Sequence, residues 1–458
     1  MKIRITACAA LLLAASRPAA AAVYDWEIGP EEQFRIWIPD DQPIVYGVYV
    51  IWNESTGDTR DLVIRPLIQD WVRTFGFAIV GTRLPDPGYA GALLDALRAF
   101  ADMSGHPEVA SAPVLCEGLS LGGYAAVEFA ATYPERTIGY LSGGARRLYE
   151  DTDHPGFVHV PGLIYQGDMD PDMEAALAAK SEVVGLRERG VQAAYFVQWG
   201  AGHERLYGDE IGWKYLADLV RLRYPEGEDP VAGPVPLLDI PDDIAWLADH
   251  LTWEDEITGI YPLGDFPGDA GSRSFWLPTR DAAFVYRAHA TRSGPVSFVQ
   301  PTAVVDWVIV EPGDAVPIEV SVGDLAGVSS VAVFDGSEPI AELGAPPYTT
   351  TWTAEGVGAH ALVAVATLDD GGLRTGHIAP VLVTGTGLPG GGGLEDGARA
   401  DAGPGVDGAG GGASEVPGEG GGCGCRAGTT GAGGRAAALL PVLLAVSWAY
   451  RQRQRARP

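Results

Sequence analysis

The run Val114-Leu115-Cys116-Glu117-Gly118-Leu119-Ser120-Leu121-Gly122-Gly123-Tyr124-Ala125-Ala126-Val127 carries the clearest chemical signal in the chain. It reads as an apolar strand, a glycine-flanked turn with Ser120 at its apex, and then a helix. A serine on so sharp a strand-to-helix turn leaves no room for side chains two positions either side, and Gly118 and Gly122 stand there. The N–H groups that open the helix point at the turn, where negative charge develops during acyl transfer. Leu121, directly after the serine, offers the first of them. A plain glycine turn with a solvent serine would show the same five letters; the strand before and the helix after favour a nucleophile.

A serine hydroxyl attacks only when a base takes its proton, and the base needs a third group to orient it. After this kind of turn the expected chain order is serine, carboxylate, histidine. Residues 160–166 read as a buried strand ending in the acidic loop Gly167-Asp168-Met169-Asp170-Pro171. A helix over 173–189 follows, then a strand over 191–197 that ends in Gly200-Ala201-Gly202-His203-Glu204. Catalysis in open α/β sheets gathers beyond the carboxyl ends of the strands, so Ser120, the acidic loop and His203 can converge. Asp170 is the chosen acid, just before a proline able to open a helix. Asp168 is the alternative and Asp172 a further competitor, since an aspartate before a proline-led helix also serves as a cap. Of the eight histidines, His203 alone follows a strand in a Gly-Ala-Gly turn after the acid.

The elements that must hold these groups are legible too. Residues 34–39, 48–53 and 75–80 read as early strands. Ser104-Gly105-His106-Pro107-Glu108 precedes the serine's strand, and Tyr133-Pro134-Glu135-Arg136 ends its helix. On these pieces, residues 23 to about 225 resemble an α/β-hydrolase. Within that superfamily they are most similar to secreted esterases of the polyhydroxybutyrate depolymerase and feruloyl esterase type. The resemblance implies a mostly parallel sheet with helices on both faces and an oxyanion hole from the Leu121 N–H and a backbone N–H near Asn53. It departs at one place: such esterases carry His-Gly after the third strand, and Trp52-Asn53-Glu54-Ser55 stands here. The second oxyanion donor is therefore open. No metal or organic cofactor is implied.

At 458 residues the chain suits two or three domains. A net charge of −29 argues against nucleic acid or an anionic membrane surface as the main ligand, although solubility outside the cell explains it as well. Residues 1–22 read as a secretory signal: Lys2 and Arg4, an apolar stretch over 5–15, and Ala20-Ala21-Ala22, with cleavage expected between Ala22 and Val23. The far end carries a Gly-rich tether over 387–434 that contains Cys423 and Cys425. An apolar run over 436–450 and an arginine cluster follow, and the run is shorter than the about 20 residues a stable span needs. Residues 435–458 with that cysteine motif resemble the myxobacterial-type C-terminal sorting tail (MYXO-CTERM). The resemblance implies processing near Cys423 or Cys425 and delivery to the cell surface by membrane or sorting machinery; a plain tail anchor is the alternative. Cys8 lies in the signal, and Cys116 is left alone on a strand, so no disulfide framework is expected.

Between these ends, residues 226–293 read as an extension of the catalytic domain or a lid. A helix start is expected at 242–247, and aromatic segments at 274–278 and 281–288 could pack as core or wall the site. Residues 294–386 change character, with short alternating strands at 304–310, 316–322, 328–334, 349–353, 359–367 and 374–384. They resemble bacterial Ig-like modules, a β-sandwich expected to act as a spacer rather than a polymer-binding unit. The stretch 291–295 has the small and turn-forming residues of a boundary that few contacts cross. The combined expectation is an exported serine hydrolase acting on an ester substrate, polymeric or small. A peptidase or amidase on the same triad, and a non-catalytic surface adhesin, stand as alternatives.

Overall fold

The computed structural model describes residues 22–385, apart from 41, 56, 86–89, 146–154, 206–207, 254–256, 293 and 302–306. The signal segment before Ala22, and the tail with Cys423 and Cys425, lie outside the described residues. The main sheet is built from β1 (Ala22–Gly29), β2 (Glu32–Ile38), β3 (Gly47–Trp52), β4 (Phe77–Arg83), β5 (Val114–Leu119), β6 (Thr137–Gly143), β7 (Gly162–Gly167) and β8 (Ala193–Gln198), in the order β1-β2-β4-β3-β5-β6-β7-β8. The two pairings of β2 are antiparallel, and every pairing from β4 through β8 is parallel. Every residue of β3, β5, β6, β7 and β8 is buried. Strands covered on both faces by crossover helices are largely apolar, and these are, with buried polar exceptions such as Glu117 in β5 and Gln166 in β7.

Helices α1 (Pro66–Arg73), α2 (Ala90–Ser104), α3 (Leu121–Thr132), α4 (Met173–Glu188) and α5 (Gly208–Arg223) supply that cover. The chain passes from β3 to β4 through α1, then back over β3 to β5 through α2. Right-handed crossovers in opposite directions put α1 and α2 on opposite faces. Trp213 of α5 stacks on Trp71 of α1, with centroids 5.0 Å apart, so α5 shares the face of α1. This strand order, with its reversal at β3 and helices on both sides, is the α/β-hydrolase fold. It brings the carboxyl ends of β5, β7 and β8 to one rim.

Residues 242–247 do not start a helix. One 3-10 turn, Asp242–Ile244, gives way to β9 (Trp246–Asp249), which pairs antiparallel with both β10 (Ile260–Pro262) and β11 (Ser274–Leu277). Two flanking strands satisfy its backbone in place of a helix, a tertiary choice that local propensity does not see. Helix α6 (Arg280–Ala290) follows, capped by the Thr279 side chain, which accepts the Ala282 N–H at 3.0 Å. Most aromatics of the 274–278 and 281–288 segments are core, Phe284 being half-buried. Phe275, Trp276 and Tyr286 are buried, Phe275 packs on Tyr195 of β8, and the Tyr286 hydroxyl donates to the Tyr195 carbonyl.

Strands β12 (Ser297–Gln300), β13 (Val308–Val310), β14 (Ala315–Ser321), β15 (Val328–Asp335), β16 (Glu338–Leu343), β17 (Tyr348–Thr353), β18 (Gly358–Leu368), β19 (Leu373–Thr375) and β20 (Ala379–Val383) form two sheets. One has the order β12-β14-β17; the other is β13-β20-β18-β15-β16, with β19 beside β18. Val316, Ile318 and Val320 of the first share a core with Val331, Val333, Leu362, Ala364 and Val381 of the second, an Ig-like sandwich. The single strand expected over 374–384 is two strands, and β12 and β16 were not anticipated.

The two folds meet near the expected boundary at 291–295, but many contacts cross between them. The other face of β18, with Ala359, Ala361, Val363 and Val365, belongs to the same apolar core as the hydrolase helices. Trp307 stacks on Trp213 at 5.7 Å, Arg221 donates to the Val357 carbonyl at 3.2 Å, and the Asp281 carboxylate accepts the Ser337 N–H at 3.0 Å. The sandwich is fused to α5 and α6 rather than strung after them, which revises the picture of a free spacer.

Candidate active site

Ser120 is the one non-glycine residue with a positive φ among the described residues (φ 60°, ψ −123°). The neighbouring glycines make the turn possible. A Cβ at Gly118 would lie 2.0 Å from the Gly122 backbone, and one at Gly122 would lie 2.6 Å from the Trp52 carbonyl oxygen. The Ser120 N–H donates to the Gly143 carbonyl at 2.8 Å, which fixes the turn against β6. Its carbonyl accepts the N–H of Gly123 at 2.9 Å and, more loosely, that of Tyr124 at 3.3 Å. Leu121, first residue of α3, has an N–H with no intrahelical acceptor by position, and it lies beside the serine.

The three aspartates of the acidic loop do three different things. Asp170 is 4% exposed, and its Oδ2 lies 2.5 Å from His203 Nδ1. Gln166, inside β7, donates its side-chain N–H to that same Oδ2 at 2.8 Å and to the Asp170 carbonyl at 2.7 Å, which fixes the carboxylate. Asp168 instead accepts the Gly200 N–H at 2.8 Å and so ties the acidic loop to the histidine loop. Asp172 is the cap of α4, accepting the Ala175 N–H at 3.0 Å. The helix thus opens at Met173, and neither Asp170 nor Pro171 takes part in starting it.

His203 is 39% exposed at its side chain. Its ring rests against Gly144, where a Cβ would come within 2.9 Å of His203 Cε1. Gly144 directly follows Gly143, the acceptor of the Ser120 N–H, so the imidazole lies at the serine's turn. With Nδ1 facing a carboxylate, Nδ1 carries the proton and Nε2 is left as the acceptor.

Asn53 does not serve as an oxyanion donor. Its N–H donates to Thr82 Oγ1 at 3.0 Å. Its side-chain oxygen accepts the Leu84 N–H at 2.8 Å and the Thr82 hydroxyl at 2.9 Å, and its side-chain nitrogen donates to the Glu54 and Leu84 carbonyls. Where the resemblance expected a glycine, an amide side chain knits the ends of β3 and β4 together. Cys116, in β5 ahead of the serine, is buried, and burial pushes its thiol up to about 12. Among the described residues no group of His, Cys, Asp and Glu could hold a metal ion.

The sequence reading missed Gln166. Its signal was a polar side chain inside an otherwise apolar strand, which has to find a partner when buried.

Residues 296–364 match the bacterial Ig domain family. No curated protein matches the chain. Among solved structures, a fibronectin(III)-like module of Clostridium thermocellum CbhA is 34% identical over 19% of this chain and 93% of its own, with a TM-score of 0.18. A substrate-bound, fluorophosphonate-binding serine hydrolase of Staphylococcus aureus is 12% identical over 44% of this chain and 99% of its own, with a TM-score of 0.33. The esterase PE8 is 17% identical over 38% and 94%, with a TM-score of 0.32.

Proposed function

We propose that the chain is a serine hydrolase that cleaves carboxylic esters through an acyl-enzyme. The observation that carries this reading is the pairing of Asp170 with His203 at the rim where Ser120 sits in its left-handed turn. Ser120 Oγ attacks the ester carbonyl while His203 Nε2 takes its proton. The Asp170 carboxylate holds the Nδ1–H tautomer and stabilises the imidazolium that forms. The Leu121 N–H donates to the oxyanion. His203 then returns its proton to the leaving alcohol. Water, deprotonated by the same nitrogen, attacks the acyl carbonyl and restores the serine. The orienting pair, Asp170 and His203, is already in hydrogen-bond contact, as the triad chemistry requires.

The chain is further proposed to act outside the cell, released from its signal at Ala22 and sorted by its tail through Cys423 or Cys425. Esters of the polyhydroxybutyrate or feruloyl type are the first substrates to try. The test is turnover of p-nitrophenyl acetate and butyrate by the purified chain, followed by a panel of polyhydroxybutyrate, feruloylated sugars, triglycerides and peptide amides. Ester cleavage that Ser120→Ala removes supports the reading. Cleavage of the amides alone would make it a peptidase, and no cleavage of either would leave the adhesin.

A further inference from the structure

Glu117 is a carboxylate in the middle of the central strand β5, and its side chain is 1% exposed. It is three residues before Ser120 and has no part in the reaction described above. Its Oε1 is ion-paired with the Arg205 guanidinium, and its Oε2 accepts the indole N–H of Trp213 at 3.2 Å. Arg205 stands two residues after His203, on the loop that leaves β8, and its side chain is 20% exposed. Trp213 also donates to the Tyr49 hydroxyl at 3.2 Å, and it is wedged between Trp71 and Trp307.

Burying an ion pair is a weak way to gain stability, because desolvation offsets most of the attraction and an apolar side chain of similar size does as well. The neighbouring positions of β5 are filled that way, by Leu115 and Cys116. What a bidentate-capable guanidinium on a buried carboxylate does supply is fixed geometry. Here the two partners lie on the two segments whose alignment sets the reaction: the strand that carries the nucleophile and the loop that carries the base. The loop is also tied to β8, to the acidic loop and to α6, through Gln198 to the Glu204 carbonyl at 2.9 Å, through Asp168 to the Gly200 N–H and through the Trp199 indole to the Ala290 carbonyl at 3.2 Å. None of these three ties runs to the serine's strand.

We propose that Glu117 is a positioning residue, holding the His203 loop in register with Ser120 through Arg205, with Trp213 as its brace. The proposal rests on the serine-hydrolase reading. A displacement of about 1 Å between reacting groups costs on the order of 10²-fold in rate, so a slack loop should show as lost turnover with substrate binding intact.

The test uses the full chain with Glu117→Gln, Arg205→Gln, the double variant and Arg205→Lys, assayed on a soluble p-nitrophenyl ester and by hydrogen exchange. Both single substitutions to Gln should lower kcat by about 10- to 100-fold with KM unchanged. The double variant should fall little further, and Arg205→Lys should recover part of the loss. Amide exchange over residues 199–205 should rise in the two single variants while that of α4 stays as in the parent. Arg205 lies at the rim, so its variant keeps the test open should Glu117→Gln fail to fold. Unchanged kcat in the Arg205→Gln variant would overturn the proposal. So would unchanged exchange over 199–205, whether or not the parent turns over esters. A parent that fails to cleave any ester sinks the functional reading instead, and the exchange measurement still decides the tether.

Discussion

The rim that carries Ser120, Asp170 and His203 and the seam where the sandwich meets α5 and α6 are built on opposite terms. At the rim, Asp170, Gln166 and Asp168 each have a specific polar partner, and His203 stays partly open to solvent. At the seam, Ala361, Val363 and Val365 of β18 disappear into the hydrolase core. A strand from each sheet of the sandwich makes the same point. Along β14, Val316, Ile318 and Val320 are buried while Ala315 and Pro317 are exposed, whereas β18 is buried on both faces over most of its length. Substitutions at the rim should therefore cost rate and leave stability, and substitutions at the seam should do the reverse.

The sharpest test of that division is Asp170→Asn. Holding the wrong histidine tautomer costs on the order of 10⁴ in turnover, and the melting temperature should move little; a large loss of stability with turnover retained would break the contrast. Next is Ala361→Asp, which places an unpaired charge in the seam. It should destabilise the chain by about 3–5 kcal/mol in a urea titration, on the scale of an uncompensated buried charge, while the folded fraction keeps its kcat. Unaltered stability would mean that the sandwich does not share the hydrolase core.

The seam also holds two histidines with ring centroids 5.8 Å apart, His289 of α6 and His377. Burial, and then the proximity of His377, hold the His289 imidazole well below its ordinary range, and burial lowers His377 as well. The folded chain therefore resists protonation at both rings, most strongly at His289, while the unfolded chain takes up protons near the ordinary histidine value of about 6.5. The unfolded state then binds more protons, so stability is level above that pH and falls below it, by up to about 1.4 kcal/mol per pH unit for each histidine. Melting temperatures between pH 8 and pH 5 check this, and His289→Phe should flatten the slope. The smallest expected effect is that of Asp168→Asn. It weakens one hydrogen bond to the Gly200 N–H, on the order of 1 kcal/mol, and should lower turnover far less than Asp170→Asn. The reverse ranking would reassign the acid.

Much of the rim could be read before the structure, because its chemistry forces local residue choices. Glycines two positions either side of Ser120 follow from the turn, and glycines at the ends of β7 and β8 mark the loops that carry Asp170 and His203. The sequence favours Asp170 as the acid, and Asp170 does meet the histidine, but the ground for that choice, a helix opening at Pro171, is not what the loop does, since spacing leaves loop geometry free. Asn53 misled for a related reason: a backbone donor was expected from its position, but the side chain found partners across β3 and β4 that no local pattern records. The seam was the least legible. Gly358–Leu368 reads as a strand whatever covers it, and its covering comes from α5 and α6, distant in the sequence. Glu117 was visible as a lone charge in an apolar strand, but its partner Arg205 is 88 residues away.

The account stands or falls on Ser120 as a nucleophile activated by His203. A fluorophosphonate probe applied to the full folded chain, followed by peptide mass spectrometry, reads this directly. The account predicts one phosphonylated residue, Ser120, with labelling lost in Ser120→Ala and strongly slowed in Asp170→Asn while both variants stay folded. A folded parent that takes no label, or a Ser120→Ala variant labelled as fast as the parent, would contradict it.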